Sequence, residues 1–226
     1  MPRPLIPDRR ERLVAAAREL ALDSGWTTTT VSDIAARAGV GKGAVYLEFP
    51  DKQAILAAVL NHSMRTMTAD VHRRVLAASD VIDLPMIYGF GVEALLADPL
   101  MRALYLGDEA VLGDHVRAVP DGRYQQRFHW LVDYIVALQQ IGVIDANVAI
   151  EPLVRMLSVF TVGLLQAPGV VDIGADDQLR ETVGLFADLV GRGLATGLPV
   201  DPAAARRAQL ILLERLDAQL HQLEAP

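Results

Sequence analysis

The chain has 226 residues, 52% of them hydrophobic, which is enough to build a substantial core in one or two domains. It contains no cysteine, so a disulfide framework and thiolate chemistry are excluded and a reducing cytoplasm is compatible. The N-terminus lacks the apolar stretch of a signal peptide, and the most apolar run, 156–165, is too short to span a bilayer. We therefore expect a cytoplasmic protein that does not enter a membrane.

Charge is unevenly distributed along the chain. Residues 1–75 hold 11 lysines and arginines against 8 aspartates and glutamates, whereas residues 76–226 hold 10 against 20. The formal net charge of −7 argues against indiscriminate binding to nucleic acid, but a mildly basic head on an acidic body fits a protein that touches DNA with one end. Charge alone leaves this open, because ordinary surface variation also produces a difference of this size.

The N-terminal region begins with the pattern of an amphipathic helix. Asp8 is placed to cap this helix and Gly25 to end it. Its apolar stripe is formed by Leu13, Ala17, Leu20 and Ala21. A second helix is predicted to start at Thr30, because Thr30 and Asp33 have the spacing of a reciprocal helix cap.

The stretch AGVGKGAVY, residues 38–46, loosely fits two nucleotide-binding patterns, but it lacks the residues that one pattern requires and the preceding strand that the other requires. A phosphate-binding loop needs Gly and Ser or Thr where Ala36 and Gly43 stand. A dinucleotide fingerprint must follow a buried strand, and here a helix precedes the glycines. A helix, a turn at Gly39 and a second helix over 42–49 remain. This is the arrangement of a helix-turn-helix unit, whose second helix lies in the major groove of DNA.

The remainder of the chain also has helical periodicity. A long helix begins at Pro50-Asp51 and runs to about residue 78, and further helices are predicted near 84–97, 99–112, 120–141, 147–166, 176–195 and 202–222. No strand pattern stands out, so we predict an all-α fold. The last helix carries leucines at 213, 216, 220 and 223, and this apolar seam must dock either on its own body or on a partner subunit.

The segment TTTTVSDIAARAGVGKGAVYLEFPDKQAIL, residues 27–56, resembles the N-terminal DNA-binding domain of the TetR family of bacterial transcriptional repressors. The resemblance covers roughly residues 8–56. It runs through Thr30, Ile34, Ala35, Ala38, Gly39, Val40, Lys42, Gly43, Tyr46, Phe49, Lys52 and Leu56.

The resemblance implies a three-helix DNA-binding domain over 1–52 and a helical effector-binding and dimerisation domain over 53–226. It implies a homodimer that binds a palindromic operator in double-stranded DNA and is released by a small-molecule effector. It implies neither an enzyme nor a cofactor or metal. A regulator without an effector and a helical enzyme stay open as alternatives, although the five histidines show no metal-ligand grouping.

The resemblance places DNA contacts at Thr30, Gly41, Lys42, Gly43, Ala44, Tyr46 and Lys52. Lys42 begins the second helix of the unit, where a cation opposes the helix dipole unless an anion such as a phosphate is near. Tyr46 lies one turn later and offers a hydroxyl within reach of a phosphate. Two alternatives stay open: Tyr46 as a half-buried packing residue, and Lys52 as a solvated surface charge.

Several positions depart from the family pattern or add to it. Gly41 stands where many members carry a serine, so one phosphate hydroxyl is missing. Glu48 stands where histidine is common, and its carboxylate either points aside or accepts a hydrogen bond from cytosine N4. The N-terminal arginines either contact DNA or form a solvated face with Asp8 and Glu11. They are Arg3, Arg9, Arg10 and Arg12.

Two further sites are predicted in the body. Amphipathic side chains among apolar ones indicate a pocket for an apolar or aromatic effector, although core packing produces the same stripes. The candidates are Tyr105, Trp130, Tyr134, Met156, Phe160 and Gln166. The helices near 147–166 and 176–195 are too apolar for lone surface helices, and in the family such helices pair across a two-fold axis. The predicted interface is the seam Leu179, Val183, Phe186 and Val190.

Overall fold

A computed structural model of the chain describes residues 8–79, 81–105, 108–113, 129–166, 171 and 176–224. The described residues form eleven helices and one isolated antiparallel bridge, between Ile144 and Ala195, so the predicted all-α fold is confirmed. None of these helices alone is long and apolar enough to cross a membrane; one bent pair, Leu84–Ala97 with Pro99–Tyr105, meets the requirements of length and composition. The helices are α1 (Arg9–Ser24), α2 (Val31–Arg37), α3 (Lys42–Val45), α4 (Lys52–Ala77), α5 (Leu84–Ala97), α6 (Pro99–Tyr105), α7 (Glu109–Leu112), α8 (His129–Gln140), α9 (Ile150–Gln166), α10 (Asp176–Leu194) and α11 (Pro202–Glu224).

The structure differs from the predictions in the length of one helix, the continuity of a second and the capping of a third. The second helix of the helix-turn-helix unit ends at Val45 and not at 49: residues 46–48 form a turn, and Pro50 disfavours helical backbone at Phe49. The helix predicted over 99–112 is interrupted, since the Asp108 carboxylate caps a new helix by accepting the Ala110 N–H at 3.0 Å. Asp8 stands at the N-cap of α1 with φ 55°, but its side chain makes no capping hydrogen bond. Residues 120–128 of the predicted helix 120–141 lie outside the described residues.

By contacts the chain divides into two compact units. The first comprises the described parts of Met1–Met64 and Pro99–Val119, and the second those of Arg65–Asp98 and Pro120–Pro226. The first unit therefore holds α1 to α3, the first half of α4, and also α6 and α7. The domains predicted from the sequence, 1–52 and 53–226, stay a prediction, and they did not foresee that a later segment packs with the N-terminal helices.

The first unit is built around one apolar cluster, on which the short helices α2, α3 and α7 pack. Trp26 is 2% exposed, and α6 and α7 each add a fully buried leucine. The fully covered members include Leu13, Ala17, Ile34, Val45, Ile55, Leu100 and Leu112. Because an isolated four-residue helix is unstable in water, α3 depends on this cluster for its position.

The second unit has its own core, in which α10 packs along α5 while α9 and α11 pack on α8. Of the four leucines in the predicted seam of α11, Leu213 and Leu216 are buried in this core, Leu220 is half-buried, and the side chain of Leu223 lies outside the described residues. Polar groups buried in this core are paired: the Tyr134 hydroxyl donates to the Ile82 carbonyl, and the Gln209 amide donates to the Val75 carbonyl. Burial, with a smaller contribution from Asp83, raises the pKa of Tyr134.

Candidate nucleic-acid interface and the faces of the body

Thr30 caps α2 in a reciprocal hydrogen-bonded box. The Asp33 N–H donates to the Thr30 hydroxyl oxygen at 3.2 Å, and the Thr30 N–H donates to the Asp33 carboxylate at 2.9 Å. The Thr30 hydroxyl also donates to that carboxylate at 2.6 Å and lowers the pKa of Asp33. The exposed hydroxyl is therefore already used as donor and acceptor, and its predicted contact with DNA stays a prediction.

The residues around α3 divide into an inner and an outer face. Val45 and Phe49 are buried, whereas Gly41, Lys42 and Gly43 are exposed and Ala44 is half-buried. Gly39, at φ 68°, makes the left-handed turn that precedes them. A Cβ added at Gly43 would meet nothing within 4 Å, so the packing of the chain itself does not require glycine there.

Tyr46 and Leu47 continue the outer face beyond α3. Tyr46 is 50% exposed and Leu47 74% exposed, and both lie in the turn that leads to the buried Phe49. The outer face, which we call the recognition face, is thus formed by Gly41, Lys42, Gly43, Tyr46 and Leu47.

The arginines of α1 hold the helix-turn-helix unit. Arg9 donates through Nε to Glu48 Oε1 at 2.8 Å and through Nη2 to the same oxygen, so the Glu48 carboxylate points aside. Arg10 donates to the Glu48 carbonyl at 3.1 Å, and Arg12 donates to the Ala38 carbonyl at 2.6 Å, at the end of α2. Arg3 lies outside the described residues.

The Lys52 ammonium is bound within the protein and is not a free surface charge. Its ammonium donates to the Trp26 carbonyl at 2.6 Å and to the Thr27 carbonyl at 3.5 Å, and it lies 4.8 Å from the centre of the Trp26 ring. Partial burial lowers the pKa of Lys52. An ammonium has three donors, so a phosphate contact is still possible, and that predicted role stays a prediction.

The turn between α1 and α2 contacts α7 closely, and this contact was not predicted from the sequence. The Trp26 N–H donates to the Val111 carbonyl at 2.7 Å. A Cβ added at Gly25 would lie 2.3 Å from the Ala110 carbonyl oxygen, and one added at Gly113 would lie 2.3 Å from the Thr27 hydroxyl. The signal in the sequence was the pair of glycines, but nothing there relates two glycines 88 residues apart.

The predicted pocket residues do not form one group. Tyr105 is buried in the first unit, whereas Tyr134 is a core residue of the second unit with its hydroxyl paired. Met156 is 46% exposed on α9. Phe160 stacks on Phe186 of α10, with 3.4 Å between ring centres. The side chains of Trp130 and Gln166 lie outside the described residues.

The predicted dimer seam is wrong for three of its four residues. Leu179, Val183 and Val190 are 1%, 2% and 9% exposed because this side of α10 packs into the chain's own core beside α5. The fourth, Phe186, is partly buried against Phe160 and Tyr88. A partner subunit therefore cannot reach this side of α10.

The outward sides of α9 and α10 carry exposed apolar side chains, with the exposed Asp188 and Arg192 beside them on α10. Leu185 and Leu189, four residues apart on α10, are 61% and 62% exposed. Val159 on α9 is 67% exposed, three residues after Met156. Because the stacked Phe160 and Phe186 rings show that the two helices are neighbours, we treat these four side chains as one surface, the apolar outer face.

These features are those of a DNA-binding unit of the helix-turn-helix class, with a capped first helix, a left-handed glycine turn and an exposed recognition face. The family model described as "Bacterial regulatory proteins, tetR family" matches residues 13–59. These residues form a DNA-binding domain of the TetR-family type.

Named relatives agree with this assignment. HTH-type transcriptional regulator HbdR of Aromatoleum sp. (strain CIB) is 34% identical over 71 residues, 31% of each chain. HTH-type transcriptional regulator BetI of Burkholderia lata is 36% identical over 73 residues, 32% of this chain and 38% of that protein. The chain thus spans about a third of the length of the curated relatives it matches.

A solved structure is similar to this chain over most of its length. A TetR-family transcriptional regulator from Pectobacterium atrosepticum superimposes with a TM-score of 0.62 at 21% identity, covering 85% of this chain and 96% of that one. At this identity the likeness concerns the fold alone, and the chemistry of the body has to be argued from its own residues.

Proposed function

We propose that the chain is a sequence-specific transcriptional regulator of the cytoplasm: a homodimer that represses by binding operator DNA and leaves it when a small apolar or aromatic effector binds the body. The observation that carries DNA binding is the recognition face. Its side chains are exposed while Val45 and Phe49, on the opposite side, are buried. A face that offers a lysine, a tyrosine and two glycines suits close approach to phosphates and base edges.

Lys42→Ala is expected to weaken binding to the DNA upstream of the gene by roughly tenfold and to reduce the salt dependence of that binding by about one counterion per subunit. The physical reason is that exposed Lys42 sits at the N-terminus of α3, where only an anion from outside the chain matches its charge. Fluorescence anisotropy with a labelled upstream duplex and a random duplex, over a series of salt concentrations, measures both quantities.

Lys52→Ala is the matched control, because the chain has no third lysine. It removes the contacts to Trp26 and is expected to lower the melting temperature, whereas Lys42→Ala leaves the melting temperature unchanged. Equal affinity of the parent protein for upstream and random DNA at every salt concentration contradicts a sequence-specific regulator.

The apolar outer face supports the homodimer. It brings Met156, Val159, Leu185 and Leu189 to the surface of two adjacent helices, where exposure to water is unfavourable by about 25 cal/mol for each Å². A two-fold axis through such a helix pair buries the same patch of both subunits and fixes the separation of the two recognition faces.

Two unpaired hydroxyls support an effector. Ser63 and Tyr105 are 0% and 2% exposed, both in the first unit, and their hydroxyl oxygens have no hydrogen-bond partner among the residues that the structure describes. Burial raises the pKa of Tyr105. A buried hydroxyl without a partner costs stability, so its retention is explained by a polar atom of a ligand that it contacts in the bound state.

Tyr105→Phe is expected to raise the stability of the ligand-free protein by about 1 kcal/mol, or about 2–4 °C in melting temperature, because the unpaired hydroxyl is removed and the ring is kept. Tyr134→Phe is the control: it removes a hydroxyl that donates to Ile82 at equal burial, and it is expected to lower stability by a similar amount. Differential scanning calorimetry distinguishes the two. A loss of stability in both variants would show that Tyr105 has a partner such as a buried water, and the argument for a ligand contact would then fail.

A further inference from the structure

The start of α1 meets the end of the recognition face in a group that we call the arginine cluster: Arg9, Arg10, Glu48 and Phe49. Arg9 forms two hydrogen bonds to one oxygen of Glu48, and both side chains are 21% exposed. Arg10 donates from Nη1 to the Glu48 carbonyl at 3.1 Å, and its guanidinium carbon lies 4.5 Å from the centre of the Phe49 ring. The two arginines therefore differ in environment: Arg9 is paired with a carboxylate, whereas Arg10 is bound to a neutral carbonyl and stacked on Phe49.

The charges of the cluster do not cancel. Arg9 and Glu48 form a mostly buried pair, so the carboxylate that would repel a DNA backbone is neutralised within the protein. Arg10 is exposed and bound to a neutral carbonyl, so it keeps its full positive charge. The cluster therefore presents a net charge of about +1 beside the recognition face, centred on the Arg10 guanidinium.

The Arg10 side chain is also oriented before any ligand arrives. The stacking on Phe49 and the bond to Glu48 restrict its rotamers, which reduces the entropy lost on binding. Among the described residues the Glu48 carbonyl accepts a hydrogen bond from one of the five Arg10 guanidinium N–H groups, and the planar fork geometry of the guanidinium matches phosphate oxygens. The neighbouring Tyr46 and Leu47 lie three and two residues before Phe49 in the same turn and are both exposed.

We propose that Arg10 binds a phosphate of the DNA backbone at the edge of the recognition face, and that Arg9 is a positioning residue that neutralises Glu48. This proposal rests on the proposed DNA-binding function and adds a contact to it. The ligand is a phosphodiester oxygen and not a base edge, so the contact contributes affinity on any duplex and no sequence preference.

Arg10→Gln in the full-length protein tests this directly, with a random duplex and the upstream duplex as probes, in KCl from about 0.05 to 0.2 M. The slope of log affinity against log salt is expected to fall by about 1 per subunit on both duplexes, and affinity at about 0.1 M salt to fall roughly eightfold per contact. Arg10→Lys keeps the charge and is expected to keep the slope while losing part of the affinity, because the fork and the stacking are lost.

Arg37→Gln is the matched control. Arg37 is an exposed arginine of the same unit, but its guanidinium lies 3.0 Å from Glu19 and 3.5 Å from Asp23, so its charge is already satisfied. Its removal is expected to leave the slope unchanged. Since the slope does not depend on the fraction of folded protein, a destabilised Arg10 variant still gives an answer.

The role of Arg9 is tested by rescue. Arg9→Gln exposes the Glu48 carboxylate to the DNA and is expected to weaken binding, and adding Glu48→Gln is expected to restore most of the loss. An unchanged slope in Arg10→Gln, or an equal change in Arg37→Gln, overturns the phosphate contact, and absence of rescue overturns the positioning role. A parent protein whose binding shows no salt dependence overturns the proposed DNA-binding function, which is a distinct result.

Discussion

Leu189→Asp is expected to convert the dimer into a monomer and to reduce operator affinity by roughly a hundredfold or more. Leu189 is 62% exposed at the centre of the apolar outer face, one helical turn from Leu185. In a two-fold interface each substitution places two carboxylates in an apolar contact, where an unpaired charge is strongly unfavourable. A monomer holds one recognition face, so it loses the gain from binding two linked half-sites, which is commonly a factor of 10² to 10⁴.

Sedimentation velocity without DNA, followed by anisotropy with the upstream duplex, measures the two effects separately. Leu198→Asp is the control, because Leu198 is 65% exposed in the connection between α10 and α11 and lies outside the apolar outer face. It should remain dimeric with parental affinity. A Leu189→Asp protein that sediments as a dimer would move the interface elsewhere. Phe186→Asp does not make this test, since Phe186 packs against Phe160 and Tyr88 within the chain.

The helix-turn-helix unit could be predicted from the sequence because its signals are local. The capping pair Thr30 and Asp33 starts α2, and Gly39 ends it in the left-handed region. Both depend on residues within four positions of each other, and the structure shows both. The length of α3 was overestimated because Val45 and Phe49 keep helical spacing and are both buried although the helix has already ended at Val45.

The side of α10 that faces a partner could not be predicted, because the helix is apolar on two sides. Leu179 and Val183 lie on one side and Leu185 and Leu189 on the other, and both sets repeat at helical spacing. Periodicity shows that a side is apolar but not which neighbour covers it. Only the packing of α5 identifies the first side as the chain's own core.

The contacts of the charged residues could not be predicted either, because they depend on neighbours that the fold brings together. The roles of Lys52 and Glu48 depend on Trp26 and Arg9, which are 26 and 39 residues away in sequence. A sequence pattern gives the charge of a side chain and the face it occupies, but it does not give a distant carbonyl or guanidinium that arrives through the fold.

Gly25→Ala is expected to destabilise the protein by about 3 kcal/mol or more, with a fall of about 10 °C in melting temperature. Two effects add. Gly25 has φ 84° and ψ 147°, a region that is essentially restricted to glycine and costs an L-residue about 1–3 kcal/mol. The new Cβ would also lie 2.3 Å from the Ala110 carbonyl oxygen, so α7 must move away from the turn that holds Trp26. This movement stretches the hydrogen bond from the Trp26 N–H to the Val111 carbonyl and opens the core of the first unit.

Two other glycines separate these effects. Gly142 has φ 78° with nothing within 4 Å of an added Cβ, so Gly142→Ala carries the backbone cost alone, about 1–2 kcal/mol. Gly89 lies within α5 with open space around it, so Gly89→Ala is expected to stabilise by about 0.5–1 kcal/mol. Urea unfolding followed by circular dichroism ranks the three variants. If Gly25→Ala costs no more than Gly142→Ala, α7 yields to the new methyl group without loss, and the contact between α7 and the α1–α2 turn does not hold the DNA-binding unit together.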